Sequence, residues 1–217
     1  MPIERNTQMG NAITKNRMVD GGDTWIIGGE IKRDGAIAGN DAQALNVFLP
    51  VHYQIAPDAI SATAVHAAIA LTAEAQEITA NITNPDVPRT VTVKGNASGI
   101  AGDVVVHGTD IEGGVISDTI ALNGATEVEG TKAFATVTKF DLPAETHAGT
   151  DTVSVGIAKK FGMPHIVDNA ALLLVKLFDG STDSGTLAVD ADEVEKNLFA
   201  LNGTPNGTKL LDLYYLK

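Results

Sequence analysis

Short runs of alternating apolar and polar residues fill the middle of the chain. In "TVTVKG" the alternation places Val91 and Val93 on one face, and in "DVVVHGTDI" it does the same for Val104 and Val106. A period of two is that of a strand with one face against a core. Turn signals separate these runs about every ten residues, the spacing typical of a β-sandwich. We therefore predict a mainly β protein, an antiparallel β-sandwich that is jelly-roll-like.

The run "TAVHAAIALTAEAQEITANIT", which begins at Thr63, is ambiguous. Its alanines favour a helix, but its apolar residues also alternate, at Val65, Ala67, Ile69 and Leu71. Threonine, which is common near its end, favours strands. We interpret the run as strand, turn and strand, with a helix as the alternative.

Two further segments indicate turns. In "NPDVPR" at 84–89, Pro85 and Pro88 fix φ and lack a backbone N–H, so they predict a rigid turn. Asn123-Gly124 is a strong hairpin signal, because a type I′ turn needs positive φ at both central residues. Features of this kind fix strand register and turn geometry, which indicates a rigid shape rather than an active site.

The C-terminal part continues the β pattern after residue 163. "AALLLVKLF" predicts a buried strand or a short helix, and "DADEVEKN" predicts one helical turn. "FALNGTPNGTKLLDLYYLK" predicts two strands joined by paired Asn-Gly turns, with Tyr214 and Tyr215 tying the terminus into a sheet. These later strands are too few to close a core alone. We predict one β domain over 56–217, with a possible sub-boundary near 163.

Residues 1–55 have a different character. They are rich in Gly, Asn, Asp and Arg, and neither a period of 2 nor one of 3.6 lasts long. Such a segment buries too little apolar area to fold alone. We predict an extended N-terminal arm that orders against a partner, with Trp25, Ile26, Ile27 and Ile31 as its apolar contacts. The alternative is a leader without fixed structure.

Charge and composition narrow the classes of function. The net charge of −12 is uneven, since residues 1–50 carry five Lys/Arg and six Asp/Glu, and residues 51–217 carry ten and twenty-one. An acidic chain repels phosphate, so we expect no nucleic-acid partner. The chain has no cysteine, which excludes disulfides and thiolate chemistry. Its longest apolar run, "AALLLV", is too short for a bilayer, and its start has no apolar signal region, so we expect a soluble product of a cytoplasm.

Candidate catalytic and metal-binding residues are sparse. None of the five histidines has metal-ligand spacing to another, and we interpret His107 as a surface or edge residue rather than a ligand. The run "DGSTDSG" resembles a calcium loop only loosely. The run "DADEVE" has four carboxylates that could hold a divalent cation at low affinity, but we interpret it as a solvated acidic turn. Glu74 and Glu77 are interpreted as strand ends rather than an acid–base pair. We predict no catalytic residue, no cofactor and no metal site, and therefore no enzyme.

Several runs together resemble a known group of proteins. They are "NPDVPR" at 84–89, "DVVVHGTD" at 103–110, "IALNG" at 120–124, "KAFATVTKFDLP" at 132–143 and "DTVSVGIAKKFGMP" at 151–164. They resemble a module of virion structural proteins of tailed bacteriophages, as do "ADEVEKN" and "NGTKLLDLYYL" farther on. The early "TWIIGGEI" resembles the start of phage capsid decoration and head-fibre proteins. The family pattern contains no catalytic residue.

The resemblance implies a non-enzymatic capsid decoration protein. Its expected place is the outer capsid surface of a virion, after synthesis in the host cytoplasm. The expected partners are the major capsid protein and further copies of the chain, as a trimer or another homo-oligomer. The main alternative is a tail, baseplate or fibre component of the same virion. A carbohydrate-binding sandwich is a third interpretation, which the scattered aromatic residues disfavour.

Overall fold

The structure, a computed structural model, describes residues 49–145 and 150–217, together with the backbone of two short strands before them. These two strands, β1 (Asn16–Val19) and β2 (Thr24–Ile27), pair with each other in antiparallel fashion. The chain divides into two compact units, Met1–Asn46 and Val47–Lys217. The rest of the predicted arm lies outside the described residues.

Fourteen further strands form the described part of the second unit, and all their pairings are antiparallel, which confirms the mainly β prediction. They are β3 (Pro50–Ile55), β4 (Ser61–Ala70), β5 (Gln76–Ile78), β6 (Arg89–Gly95), β7 (Asp103–Thr109), β8 (Val115–Ala121), β9 (Val128–Phe134), β10 (Thr136–Leu142), β11 (Thr152–Gly162), β12 (Leu173–Phe178), β13 (Ser181–Thr182), β14 (Thr186–Ala188), β15 (Leu198–Ala200) and β16 (Leu211–Leu216). Two 3-10 turns, Ala170–Leu172 and Val194–Lys196, complete it. The second turn confirms the helical turn predicted for "DADEVEKN".

The strands β4 to β11 form a jelly roll. Their pairing is nested, with β4 on β11, β5 on β10, β6 on β9 and β7 on β8. Nested pairs of this kind arise when one long antiparallel ribbon is rolled up. Rolling produces two four-stranded sheets, in the orders β4-β11-β6-β9 and β5-β10-β7-β8. Eight strands in two such sheets are the jelly-roll arrangement, as predicted.

The first core lies between these two sheets. Val91, Val93, Val104 and Val106 are fully buried in it, as the alternation predicted. The helix alternative for the run from residue 63 is wrong, because that run forms β4 and β5. Ala67, predicted to face inward, is exposed, since β4 shifts register against β11.

A second, smaller core lies beyond the first and shares β11 with it. The strands β14, β15 and the end of β11 pack against the sheet β13-β12-β16-β3. Phe161, Phe199, Leu213 and Tyr215 are buried between them. The terminus is tied into a sheet, as predicted, because β16 is an interior strand. The predicted sub-boundary near 163 falls at the end of a strand that both cores use.

The strand β3 changes the boundary of the arm. Pro50–Ile55 pairs along its whole length with β16, and Leu49 and Lys217 exchange two backbone hydrogen bonds of 2.9 and 3.1 Å. These residues therefore belong to the β unit, and the arm ends before β3 rather than at residue 55. The alternation of "PVHYQI" covers only six residues, too few to stand out from the irregular segment before it.

The turn at Asn123-Gly124 exists, but it is not the predicted type. The Thr126 N–H donates to the Asn123 carbonyl at 3.0 Å, so Gly124 and Ala125 are the central residues. Only Gly124 has positive φ, at 56°, which is the pattern of type II′ rather than type I′. The turn also joins β8 to β9, which lie in different sheets. It closes on a single antiparallel bridge between Asn123 and Thr126, and it forms a corner of the roll rather than a hairpin that pairs β8 with β9.

A bulge in β11 separates the two cores. Val91 of β6 pairs with Ile157, but Arg89, two residues earlier, pairs with Phe161, four residues later. The bulged residues leave carbonyl groups without ladder partners. The Arg89 Nε–H donates to the Ala158 carbonyl at 2.7 Å, and the Leu201 N–H donates to that of Lys159 at 3.0 Å.

Arg89 is fully buried at this junction. Its Nη1 donates to Asp86 Oδ1 at 2.8 Å and to the Asp58 carbonyl at 3.1 Å, and its guanidinium lies 4.8 Å from the centre of the Phe161 ring. Asp86 also accepts from the Asp58 N–H at 2.7 Å, which ties the proline-containing segment to the chain before β4. Arg89 thus joins that turn, the bulge and the second core.

We predict that Arg89→Ala lowers the free energy of unfolding by about 3–5 kcal/mol, because it leaves Asp86 and the Ala158 carbonyl without their buried donor. Lys94→Ala, a change on the same strand at a partly exposed position, is the control and should cost no more than about 0.5 kcal/mol. Urea unfolding of both variants is the measurement. Equal losses in the two would contradict the role given to Arg89.

Candidate interaction surface

The outer face of the sheet β13-β12-β16-β3 is the candidate site, and we call it the outer face below. Leu213 and Tyr215 of β16 point into the second core, so Tyr214 between them points outward. Across the sheet Tyr214 is paired with Val175 of β12 on one side and with His52 of β3 on the other. These three residues form one row.

The row is held in a fixed arrangement. The rings of His52 and Tyr214 are stacked, with centroids 4.2 Å apart and planes within 3°. Asp212 Oδ1 lies 2.8 Å from His52 Nε2 and accepts a hydrogen bond from Gln54 Nε2 at 2.6 Å. Because Asp212 positions the imidazole, the partly exposed Tyr214 ring is ordered before any partner arrives.

Aliphatic side chains extend this face beyond the row. A bulge in β12 lies between Leu173 and Val175. Leu174 is 60% exposed and Val175 42% exposed, next to Tyr214 at 39%. Large apolar residues that are exposed side by side mark interaction sites more often than single ones do. "AALLLVKLF", predicted as a buried strand or a short helix, is a 3-10 turn followed by a strand with one exposed side.

The strand β16 that carries Tyr214 is anchored by a polar pair in the second core. His165 Nδ1 lies 2.6 Å from the Tyr215 hydroxyl. Burial raises the pKa of Tyr215 to about 12 and lowers the pKa of His165 below its ordinary value. Both groups are therefore neutral near pH 7, and the hydrogen bond fixes the strand without a buried charge.

The predicted arm contacts lie outside the described side chains. Trp25, Ile26 and Ile27 belong to the backbone of β2, and Ile31 lies beyond the described residues. Their role as contacts therefore stays a prediction. Sequence reasoning missed the outer face, because a run that is apolar at every position does not indicate which side is exposed.

The other candidate residues have structural contacts. His107 Nε2 lies 2.7 Å from Asp141 Oδ2, and the Lys139 ammonium lies 2.7 Å from Glu77. In "DGSTDSG" the buried Asp183 accepts three backbone hydrogen bonds of 2.6, 3.1 and 2.9 Å, from Gly185, Asn202 and Gly203. It ties one loop to the next.

The acidic run "DADEVE" is held by lysines. Burial alone would lower the pKa of Lys132, but hydrogen bonds to Glu195 and Glu193, at 3.1 and 3.3 Å, raise it above its ordinary value. Asp190 accepts backbone hydrogen bonds from residues 192 and 193, which lowers its pKa. Within residues 49–145 and 150–217, no three His, Asp or Glu side chains are grouped to hold a metal ion.

An open groove of about 470 Å³ lies beside this run. The strands β9, β11, β14 and β15 supply residues to its lining, including Gly130, Ala188 and Ala200. Lys160 and Glu129 at its rim pair with each other at 3.1 Å. A groove with small side chains and paired charges has no group directed at a ligand.

We predict that acid weakens the fold through His165. Because its folded-state pKa is lowered, the unfolded chain takes up a proton below about pH 6.5 that the folded chain resists. This part of the stability is present above that pH and is lost as the pH falls from there through the folded-state pKa. Urea unfolding at a series of pH values is the measurement. A His165→Gln variant should lose less stability over this range, and an equal decline in both proteins would contradict the assignment.

In the part of the chain that the structure describes, no helix is long and apolar enough to cross a membrane. Comparison with known proteins gives no match to a family model, to a curated protein or to a solved structure.

Proposed function

We propose that this chain is a structural component of a tailed-phage virion, a non-enzymatic decoration protein that binds the outer surface of the capsid and stabilises the head. The observation that carries the proposal is the outer face, where Leu174, Val175 and Tyr214 are exposed together. The resemblance of the sequence to phage virion proteins supports it. The jelly roll also supports it, since capsid proteins are among those that use this fold.

The outer face suits attachment to a protein surface. Its centre is apolar and aromatic, and its hydrogen-bonding groups are held by Asp212 at the side of Tyr214. Ordered aromatic anchors often dominate the binding energy of an interface, at roughly 2 kcal/mol or more each. The predicted arm contact at Trp25 would add a second anchor on a neighbouring shell subunit.

In this proposal the head is stabilised because the binding energy is distributed over neighbouring shell subunits. A protein that contacts several shell subunits at once adds its binding energy to the free energy needed to separate those subunits, with no covalent step. The acidic body supports an outer position, because a net charge of −12 keeps it away from packaged DNA. The partners in this proposal are the major capsid protein and further copies of the chain.

A tail, baseplate or fibre role in the same virion is the second candidate. The stacked His52 and Tyr214 would serve equally well between copies in a ring or a fibre. The two roles differ in what the purified protein does alone. Rings or fibres in electron micrographs, with no affinity for heads, would favour the second role.

The proposal predicts that Tyr214→Lys and Trp25→Ala each weaken binding of the full-length chain to expanded heads that lack it, by at least about tenfold. A lysine on the outer face places a charge where an apolar contact forms. Binding is measured by co-sedimentation with the heads.

Val115→Lys is the matched control. Val115 is 88% exposed in the jelly roll, at the start of β8, so the same charge is added to an exposed position away from the outer face. Its binding should match that of the unmodified chain. Undiminished binding of both Tyr214→Lys and Trp25→Ala would contradict the proposed attachment.

A further inference from the structure

Two edges of the jelly roll, at β9 and β4, are partly closed by side chains and loops. The Asp118 carboxylate of β8 accepts hydrogen bonds from the Thr131 and Lys132 N–H groups of β9, at 2.6 and 3.2 Å. On β4 the Val65 carbonyl accepts from the Thr83 N–H at 2.9 Å. An edge whose backbone groups are used in this way cannot add another strand.

Among the described residues, none closes the outer edge of β3 in this way. No other strand in the described part of the chain pairs with it. Its sequence, "PVHYQI", has no Lys, Arg, Asp or Glu, and only Pro50, at its start, opposes strand addition. Natural sheets usually protect an open edge with charges, bulges or a cover.

The backbone of β3 is complementary to itself. Leu49 and Lys217 exchange both of their hydrogen bonds, which fixes the alternation of the ladder. His52 and Gln54 therefore direct their N–H and C=O groups away from β16. In an antiparallel pair centred on Tyr53, His52 lies opposite Gln54 of a second β3 strand, and Gln54 lies opposite its His52. Each of these two pairs can exchange two backbone hydrogen bonds, which gives four in total.

The second core is also incomplete at this edge. Val51, Tyr53 and Ile55 point inward but are only partly buried, whereas Leu211 and Leu213 of the neighbouring β16 are fully buried. The Tyr53 hydroxyl is buried and has no hydrogen-bond partner among the described residues. A further strand beside β3 would cover these side chains.

We propose that β3 pairs with β3 of a second copy of this chain, antiparallel and about a two-fold axis at Tyr53. The proposal does not require a virion role. Self-pairing at β3 avoids the repulsion between two acidic chains, because this edge carries no carboxylate and its outward backbone groups match those of a second β3. The nearest acidic residue on its neighbour β16, Asp212, already accepts from His52 and Gln54. The two sheets then continue as one across the axis.

The first test removes one outward N–H. Gln54→Pro loses a donor to the second copy but no ladder bond to β16, while Gln54→Ala loses only the side-chain bond to Asp212. We expect the full-length chain and Gln54→Ala to sediment as dimers, and Gln54→Pro to dimerise at least about tenfold more weakly. A monomeric unmodified chain, or equal dimerisation of the two variants, would overturn the proposal. Circular dichroism checks that both variants fold.

The second test reads the register and decides the matter if Gln54→Pro does not fold. The chain has no cysteine, so an introduced one can bridge only to its own copy. In the proposed register Tyr53→Cys faces itself across the axis within disulfide reach, and Gln54→Cys does not. Faster oxidation of Tyr53→Cys to a covalent dimer is the expected result, and equal or slower oxidation overturns the register. Neither readout involves heads, so failure here is distinct from failure to bind a capsid.

Discussion

The two cores depend on one strand, and that strand depends on Arg89. A regular strand points alternate side chains to opposite faces, so β11 can serve two cores in succession only if its ladder is interrupted. The interruption leaves buried carbonyls without partners, which is costly unless a donor replaces them. Arg89 is that donor, through its Nε–H to Ala158. Its charge is balanced by Asp86, and its flat face lies against Phe161.

The same junction determines what the surface can do. Because β11 continues into the second core, the sheet β13-β12-β16-β3 packs directly against the end of β11. The ring of Tyr214 is then held from two directions, by the buried neighbours of β16 and by the stack with His52. A surface ordered in advance loses little conformational entropy on binding, so more of its contact energy appears as affinity.

Alternation in the sequence was enough for the jelly roll but not for the junction. Val91, Val93, Val104 and Val106 were predictable because each lies in a strand with one buried face. Arg89 was not, since a charged residue beside two prolines is usually exposed, and only the bulge in a strand 69 residues away makes its burial favourable. A local sequence pattern cannot indicate a contact with a bulge so far away along the chain.

The outer face was missed for a related reason. The first six residues of "AALLLVKLF" are all apolar, so the run has no hydrophobic periodicity that could indicate which side of the strand is buried. The short alternation of Pro50–Ile55 was likewise obscured by the irregular segment before it. At Asn123-Gly124 the residue types predicted a turn correctly, but whether a turn joins neighbouring strands or crosses between sheets is decided by the whole roll. The predicted contacts of the arm, from Trp25 to Ile31, remain predictions.

The charge and the hydrogen bonding of the sheet edges determine where this protein can associate with another chain. A chain with 27 acidic and 15 basic residues is kept apart from its own copies by charge, so chance aggregation through most of its surface is disfavoured. Asp118 contributes to this charge and also closes the edge of β9, which combines repulsion and edge protection in one side chain. The uncharged edge of β3 and the apolar outer face beside it differ from the edges at β9 and β4, where side chains or loops use the backbone groups. Their position on one small sheet, supported from behind by the second core, makes that sheet the part of the described chain best suited to specific contact.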